Sequence, residues 1–367
     1  MKVTFIYSGA ENLGIEYLSS YLKKSGHQSS LAFDFGLFAD KRYLNISWLS
    51  KIFNPNREKL IAKVESLRPD LVAFSVIKDL YFWALDLADE IKRILGVPVV
   101  FGGIHPTSVP EQVIKNDCVD YVIIGEGEKA LSELATALER GNPLDEVKNL
   151  WFKNEGKIIK NQLRSPIANL DDLPFPDKEL FSDFIPIDDS YSVIASRGCP
   201  LNCSFCCSTI FTRLYKEKGS FFRFRSINNV ISELATMKDK YHFREVDFCD
   251  DVFTINLNWL REFLKAYKKE INLPFRCLSY PKNFSKEIAN LLKVNGCFRV
   301  RISPQTMNED LRKKVLGRPE TNQDIKKAFD ACDEIKLPYT ADHLFGIPHE
   351  TVNDHLQAAR VYCNTRY

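Results

Sequence analysis

The chain has 367 residues, with 50 Lys and Arg against 48 Asp and Glu for a formal charge of +2, and it is 45% hydrophobic and 27% charged. At roughly 150 residues per domain this length predicts two or three domains, near-neutrality excludes recruitment to nucleic acid or an anionic membrane by a global field, and the composition excludes a disordered or fibrous chain. The amino terminus places one Lys before an apolar run too short for a signal-peptide core, and no segment approaches the roughly 20 apolar residues that span a bilayer. A cytoplasmic protein without membrane or nucleic-acid partners is expected, and its ten cysteines are expected to be thiols, not a disulfide framework.

Short β-branched runs alternate with helical patterns from the start: VTFIY (3–7), IEYLSSYLKKSG, SSLAFD (29–34) and, after a looser insertion, REKLIAKVESLRP, DLVAFSVI (70–77), WALDLADEIKRIL and PVVFGG (98–103). A proline-containing segment then leads to DYVIIGEGEKALSELATALERG (120–141). Apolar strands without strict alternation, separated by helices, predict a doubly wound parallel sheet over residues 1–141. Ligands of such a sheet sit beyond the carboxyl ends of its strands, here the loops Ser8 to Gly14, Lys78 to Tyr81, Gly102 to Pro106 and Gly125 to Glu128. From 142 to 190 the helical period stops and prolines appear at 143, 166, 174, 176 and 186. A hairpin is predicted there, with NLWF and KIIKN flanking Asn154, Glu155 and Gly156, within a linker.

A second alternation occupies 191–367, with strands predicted at YSVIAS (191–196), EVDFCD (245–250), FRCLSY (275–280), FRVRIS (298–303) and YTADHLFG (339–346). Five strands at these spacings fit a partial (β/α) barrel, either incomplete or a shortened version of a longer protein. Directly after the first of them comes SRGCPLNCSFCC, which places Cys199, Cys203 and Cys206 in a C-x3-C-x2-C spacing with Cys207 adjacent. Zinc sites usually pair two C-x2-C halves or add histidines, and nothing nearby supplies the second half. Iron–sulphur clusters are normally held by four thiolates, so three on one loop leave one iron open to an outside ligand. Against this stands a chance cluster in a Cys-rich chain. Phe205 is placed to shield a cluster, and Cys207 is a bystander or a spare thiol. The other cysteines, at 118, 249, 277, 297, 332 and 363, read as small buried apolar residues, with Cys249 set apart by its neighbour Asp250. The run RLYKEKGSFFRFR (213–225), with Arg213, Lys216, Lys218, Arg223 and Arg225, reads as a solvated loop or as a docking patch for substrate or an electron donor.

The cysteine loop after a first barrel strand resembles the radical S-adenosylmethionine (SAM) superfamily. GGIHPTSVPEQV (102–113) and VDYVIIGEGEKAL (119–131) resemble the cobalamin-binding domain that precedes the barrel in the B12-binding radical SAM subgroup. FFRFRSINNVISEL (221–234), DFCDDVFTIN (247–256), LGRPET (316–321) and GIPHET (346–351) are similar to its barrel. The resemblance implies an α/β chain in which a doubly wound, Rossmann-like cobalamin-binding domain is followed by a partial radical SAM barrel. It implies a 4Fe-4S cluster on Cys199, Cys203 and Cys206, whose open iron is chelated by SAM and whose electron cleaves the sulphonium to a 5'-deoxyadenosyl radical. Phe205, Asp250, Asp251, Ser303, Gln305, Gly346 and Ile347 are the implied SAM contacts. For the two aspartates, capping of the next helix is an equal alternative, and the segment Ser303-Pro304-Gln305-Thr306 departs from the Gly-rich pattern of many relatives.

The implied cobalamin contacts are Gly102, Gly103, Gly125, Glu126 and Gly127. The Ser8–Gly14 loop lacks the histidine of the D-x-H-x-x-G motif, which implies base-off cobalamin without a histidine ligand; His105 is read as architecture. The implied reaction is methylation of an unactivated carbon or phosphinate-like centre in a small-molecule substrate, with a reducing partner such as flavodoxin or ferredoxin. Radical cyclisation, ring contraction or another rearrangement without net methylation is the first alternative. A non-catalytic cobalamin or cluster carrier is the second.

Overall fold

The computed structural model describes residues 1–34, 39–40, 44–45 and 57–364, and most of the looser insertion lies outside them. The chain divides into two units, Met1–Ile167 with Asp172–Pro186, and Ala168–Asp171 with Ile187–Tyr367. Among the described residues no helix is long and apolar enough to cross a membrane.

In the first unit the elements run β1 (Lys2–Ser8), α1 (Leu13–Lys24), β2 (Gln28–Asp34), α2 (Arg57–Leu67), β3 (Leu71–Ser75), α3 (Tyr81–Leu95), β4 (Val99–Gly102), β5 (Tyr121–Ile123) and α4 (Glu128–Arg140). They are followed by β6 (Leu150–Asn154) and β7 (Lys157–Lys160). The sheet order is β2-β1-β3-β4-β5-β6-β7, with the first five strands parallel. Alternate residues of one strand serve opposite faces. Val3 and Phe5 join Ile15, Leu22, Leu131 and Leu134 on one side, whereas Ile6, Val72, Phe74 and Phe101 join Leu60, Val64, Leu87 and Ile91 on the other. Burial on both faces explains why these strands read as continuous apolar runs. The order 2-1-3-4-5 reverses between β1 and β3, which is where doubly wound sheets of this type bind ligands.

The hairpin expected within the linker is a two-residue turn, Glu155 at φ +48° and Gly156 at φ +76°, the both-positive geometry that matches strand twist. Its strands are not a separate linker element. They extend the first sheet antiparallel beside β5, with Ile123 opposite Leu150.

The second unit carries β8 (Ser190–Val193), the short helix α5 (Cys207–Leu214), α6 (Ile227–Tyr241), β9 (Glu245–Phe248), α7 (Leu257–Glu270), β10 (Phe275–Ser279), α8 (Lys286–Val294), β11 (Cys297–Gln305), α9 (Glu309–Lys314), α10 (Asn322–Ile335), β12 (Tyr339–His343) and α11 (Val352–Cys363). The five strands are parallel in the order β8-β9-β10-β11-β12, an arc of a (β/α) barrel. Their outer residues, including Val193, Val246, Phe248, Phe275, Cys277, Val300 and Ile302, pack beneath α6, α7, α8 and α10. The inner face is polar. Asp247, Cys249, Arg276, Leu278, Arg299 and Arg301 line a cavity of about 270 Å³. Cys249 and Cys363 are exposed, contrary to the apolar-core reading that holds for Cys118, Cys277, Cys297 and Cys332. Cys249 lies one residue beyond β9, where the strand no longer turns its side chains under the helices.

Candidate functional site

After Val193 the chain leaves the arc, and Ser196–Arg197 pairs antiparallel with Arg223–Phe224. Gly198 then turns at φ +83°, and a Cβ there would lie 2.5 Å from the Phe221 carbonyl oxygen. Only glycine combines that dihedral with so close an approach. The loop that follows presents Cys199, Cys203 and Cys206, and all ten cysteines of the chain are free thiols. Cys206 caps α5 with extended backbone. Its thiol accepts from the Cys207 thiol and from Ser208, which lowers it to about 6. Cys207 is correspondingly raised above the usual thiol range by that same contact, so it is the donor of the pair. Burial raises Cys199 to about 12 and raises Cys203, which the nearby Arg318 counteracts. Thiols raised by burial resist ionisation, and a bound cation favours the thiolate form.

Asp250 lies at the carboxyl end of β9 but is buried, and its carboxylate accepts from the Ala195 amide at 3.0 and 3.1 Å and from the Ser196 hydroxyl. It therefore fixes the exit of the strand that leads to the cysteines. Asp251 is exposed and accepts from the Ser208 hydroxyl at 2.9 Å. Neither caps the next helix, because Asn256 does so by accepting from the Trp259 amide. Burial raises Asp250 to about 6 from 3.8, so the folded state holds its proton more tightly than the unfolded state. Its contribution to stability is full below about pH 4 and is lost as pH rises through about 6. Asp250→Asn should flatten that slope and keep the loop bonded, whereas Asp250→Ala should cost about 1–3 kcal/mol for the orphaned amide and hydroxyl. Urea unfolding between pH 4 and 7 compares the two variants.

At the end of β11 the Ser303 hydroxyl donates to Asp342 at 2.7 Å, and Gln305 sits at φ +67° with its carbonyl accepting from the Leu344 amide. Gly346 turns at φ +77°, and the amides of Gly346 and Ile347 donate to Glu350 at 2.9 and 3.2 Å. Phe205 is 45% exposed beside the thiols.

The sequence signal at LGRPET becomes a physical brace. The Ser204 amide donates to the Leu316 carbonyl at 3.0 Å and its hydroxyl to the Val315 carbonyl. Gly317 turns at φ +65° with its Cβ direction 3.3 Å from the Asn202 carbonyl. Behind that turn, Arg318 donates to Glu320 at 2.6 Å and to the Ser303 carbonyl at 2.8 Å, and the Tyr280 hydroxyl donates to the other Glu320 oxygen. Arg312, fully buried, donates to the Glu320 and Thr306 carbonyls. One buried network thus ties the cysteine loop to the ends of β10 and β11. The cationic run is likewise not a uniform solvated loop. Arg223 and Arg225 are buried, and Arg225 pairs with Glu233 at 2.6 Å and donates to the Ile194 carbonyl.

In the first unit the Ser8–Gly14 loop carries Glu11, which pairs at 2.7 Å with the buried Lys178; Lys178 also reaches Glu16 at 2.9 Å. No histidine stands there. Gly103, at φ +98°, is required by packing, since a Cβ would meet the Val76 amide nitrogen at 2.9 Å. Gly102 has ordinary clearance, with the Ile123 carbonyl at 3.8 Å from its Cβ position. The Gly125 amide donates to the Thr107 hydroxyl, and Glu126 accepts from the Ile167 amide. Gly127 is the N-cap residue of α4 and supplies no side-chain cap. His105 packs against Tyr81 with ring centroids 4.3 Å apart. Its Nε2 is buried without a partner among the described residues.

Residues 4–135 match the B12 binding domain and residues 193–361 match the radical SAM superfamily. The chain belongs to the radical SAM proteins that carry a B12-binding domain. It is 28% identical over 347 residues to an uncharacterized methyltransferase of Pyrococcus horikoshii, covering 92% of this chain and 70% of that protein. It is 25% identical to the cytidylyl-2-hydroxyethylphosphonate methyltransferase of Streptomyces wedmorensis (86% and 66% covered). It is 23% identical to the anaerobic magnesium-protoporphyrin IX monomethyl ester cyclase of Rubrivivax gelatinosus (96% and 63% covered). The chain thus spans about two thirds of the length of these relatives. Among solved structures, the radical SAM methyltransferase TsrM from Kitasatospora setae, with cobalamin and a 4Fe-4S cluster bound, matches with a TM-score of 0.75 at 18% identity. That match covers 99% of this chain and 70% of that one, and it fixes the fold.

Proposed function

We propose that the protein is a cobalamin-dependent radical SAM methyltransferase that acts on an unactivated carbon or a phosphinate-like centre of a small molecule. The observation that carries this reading is the loop of Cys199, Cys203 and Cys206 at the carboxyl end of the first barrel strand, in a chain whose first unit matches a B12-binding domain. Three thiols on one braced loop suit three irons of a 4Fe-4S cluster, and the relatives named as methyltransferases support transfer over rearrangement. When bound, the cluster with SAM supplies hydrogen-abstracting radical chemistry, and cobalamin supplies a methyl carrier.

The chain's own groups hold and orient. Gly198 and Asp250 set the cysteine loop, Cys207 donates to the Cys206 sulphur, and Phe205 is assigned to shield a bound cluster. Asp251, Ser303, Gln305, Gly346 and Ile347 ring the same strand ends and are assigned to SAM, with Asp250 acting behind them. Gly102, Gly103, Gly125, Glu126 and Gly127 are assigned to the cobalamin side. The Ser8–Gly14 loop contains no histidine, which supports base-off binding without a histidine ligand from that loop. A flavodoxin or ferredoxin in the cytoplasm is the assigned electron donor.

The test is cobalamin titration of the full chain, followed by anaerobic turnover with SAM and candidate substrates. Saturable cobalamin binding, with S-adenosylhomocysteine formed beside 5'-deoxyadenosine only when substrate is present, is the expected result. 5'-Deoxyadenosine without S-adenosylhomocysteine would favour the rearrangement reading, which the cyclase relative keeps open. No cleavage under any condition would leave a carrier.

A further inference from the structure

Half of the chain's six histidines fall between 343 and 355. Two of them meet a buried carboxylate. His343 ends β12, Glu350 closes the turn that follows, and His355 stands on the first turns of α11. One ligand atom from each lies within 4.8 Å of the others.

The bonding within this cluster is uneven. Glu350, with a side chain only 2% exposed, uses Oε2 to accept from the Gly346 and Ile347 amides and to meet His355 Nε2 at 3.2 Å. Among the described residues its Oε1 is buried with no partner, and so is Nε2 of His343. The other nitrogen of His343, Nδ1, lies 3.0 Å from the Tyr362 hydroxyl. A tyrosine hydroxyl that accepts there sets the tautomer leaving Nε2 with its lone pair, as the outer partner of a metal-binding histidine does. Phe345 stacks on His355 at 4.9 Å and stands edge-on to His343 at 5.0 Å, which gives the group an apolar cover.

We infer that His343, Glu350 and His355 form a binding site for a divalent zinc-type cation. An orphaned carboxylate oxygen in a nearly closed side chain carries an unrelieved desolvation penalty, and a cation shared with two imidazoles removes it. Ligands held at about 2.0–2.1 Å from a tetrahedral zinc ion lie about 3.3 Å apart, close to the 3.2 Å between His355 Nε2 and Glu350 Oε2, the other oxygen of the carboxylate whose Oε1 is orphaned. Two histidines and one glutamate leave at least one coordination position open. The ion would tie the last strand, the Gly346–Thr351 turn and the last helix together. It is separate from the cysteine loop and does not depend on the methyltransferase reading.

The test uses the full chain with its cluster reconstituted anaerobically, so that the cluster thiols do not capture the probe. The protein is equilibrated with Zn²⁺ alone, excess is removed, and zinc and iron are measured per chain. The wild type should retain about one zinc. His343→Ala, Glu350→Gln and His355→Ala should lose it with iron unchanged, and Tyr362→Phe should bind zinc about 10–100-fold more weakly. A wild type that retains no zinc, or variants that retain as much as the wild type, would overturn the assignment. His355, at 30% side-chain exposure, disturbs folding least. If the other variants lose iron or helical content, His355→Ala decides alone.

Discussion

Replacing any one of Cys199, Cys203 or Cys206 by Ala should abolish reductive cleavage of SAM and remove most of the iron, whereas Cys207→Ala should keep both. On the proposed assignment each of the three would supply one thiolate, and a cubane left with two protein ligands would expose a second iron to solvent. Loss of an outer hydrogen-bond partner typically costs 10–100-fold in affinity, so loss of a ligand itself should exceed roughly 100-fold in cleavage rate. Cys207 donates to the Cys206 sulphur, and its removal takes away one hydrogen bond and no ligand. Iron analysis and 5'-deoxyadenosine formation, measured together for the four variants, separate the roles. Full iron and full cleavage in Cys206→Ala would show that the ligand assignment is wrong.

Gly198→Ala should be as damaging to cleavage without touching a ligand. The left-handed backbone costs a residue with a Cβ about 1–2 kcal/mol. Here the added methyl group would also meet the Phe221 carbonyl carbon and oxygen at 3.0 and 2.5 Å. Both contacts are backbone, so no rotamer change relieves them. The pairing of Arg197 with Arg223 has to open, which unseats the loop at its first cysteine. Thermal unfolding should fall by several degrees, and iron incorporation should fall with it. A G198A protein with native stability and full iron would mean that the loop is not held where the geometry puts it.

The parallel strands of the first unit were legible as largely buried apolar runs bounded by turn residues, and those of the second as short runs between helical patterns in which buried apolar residues alternate with polar ones. β8 to β12 fall within a few residues of YSVIAS, EVDFCD, FRCLSY, FRVRIS and YTADHLFG. The cysteine loop could be proposed from sequence for a different reason: its three thiols are close together in the chain, so their spacing alone suggests a shared site. What stayed hidden depends on contacts between distant segments. Ser204 reaches Leu316 across more than a hundred residues, and no local pattern marks Arg318, Glu320 and Tyr280 as the brace behind the loop. Asp250 read as a ligand contact or a helix cap because its position was visible and its burial was not. Arg223 and Arg225 read as part of an exposed cationic run, since the partners that bury Arg225, the Ile194 carbonyl and Glu233, are not neighbours in the run itself. The histidine density near residue 350 was a visible signal. Only the orphaned Glu350 oxygen gives it meaning.

Methyl transfer is the claim on which the function rests, and turnover with SAM labelled in its methyl group tests it most directly. The full chain, loaded anaerobically with cluster and cobalamin and supplied with its substrate and a reductant, should place the label in the product. S-adenosylhomocysteine and 5'-deoxyadenosine should accumulate in step, because one SAM donates the methyl and another makes the radical. Product formed without label, with 5'-deoxyadenosine as the only nucleoside released, would contradict methylation and assign the chain to radical rearrangement.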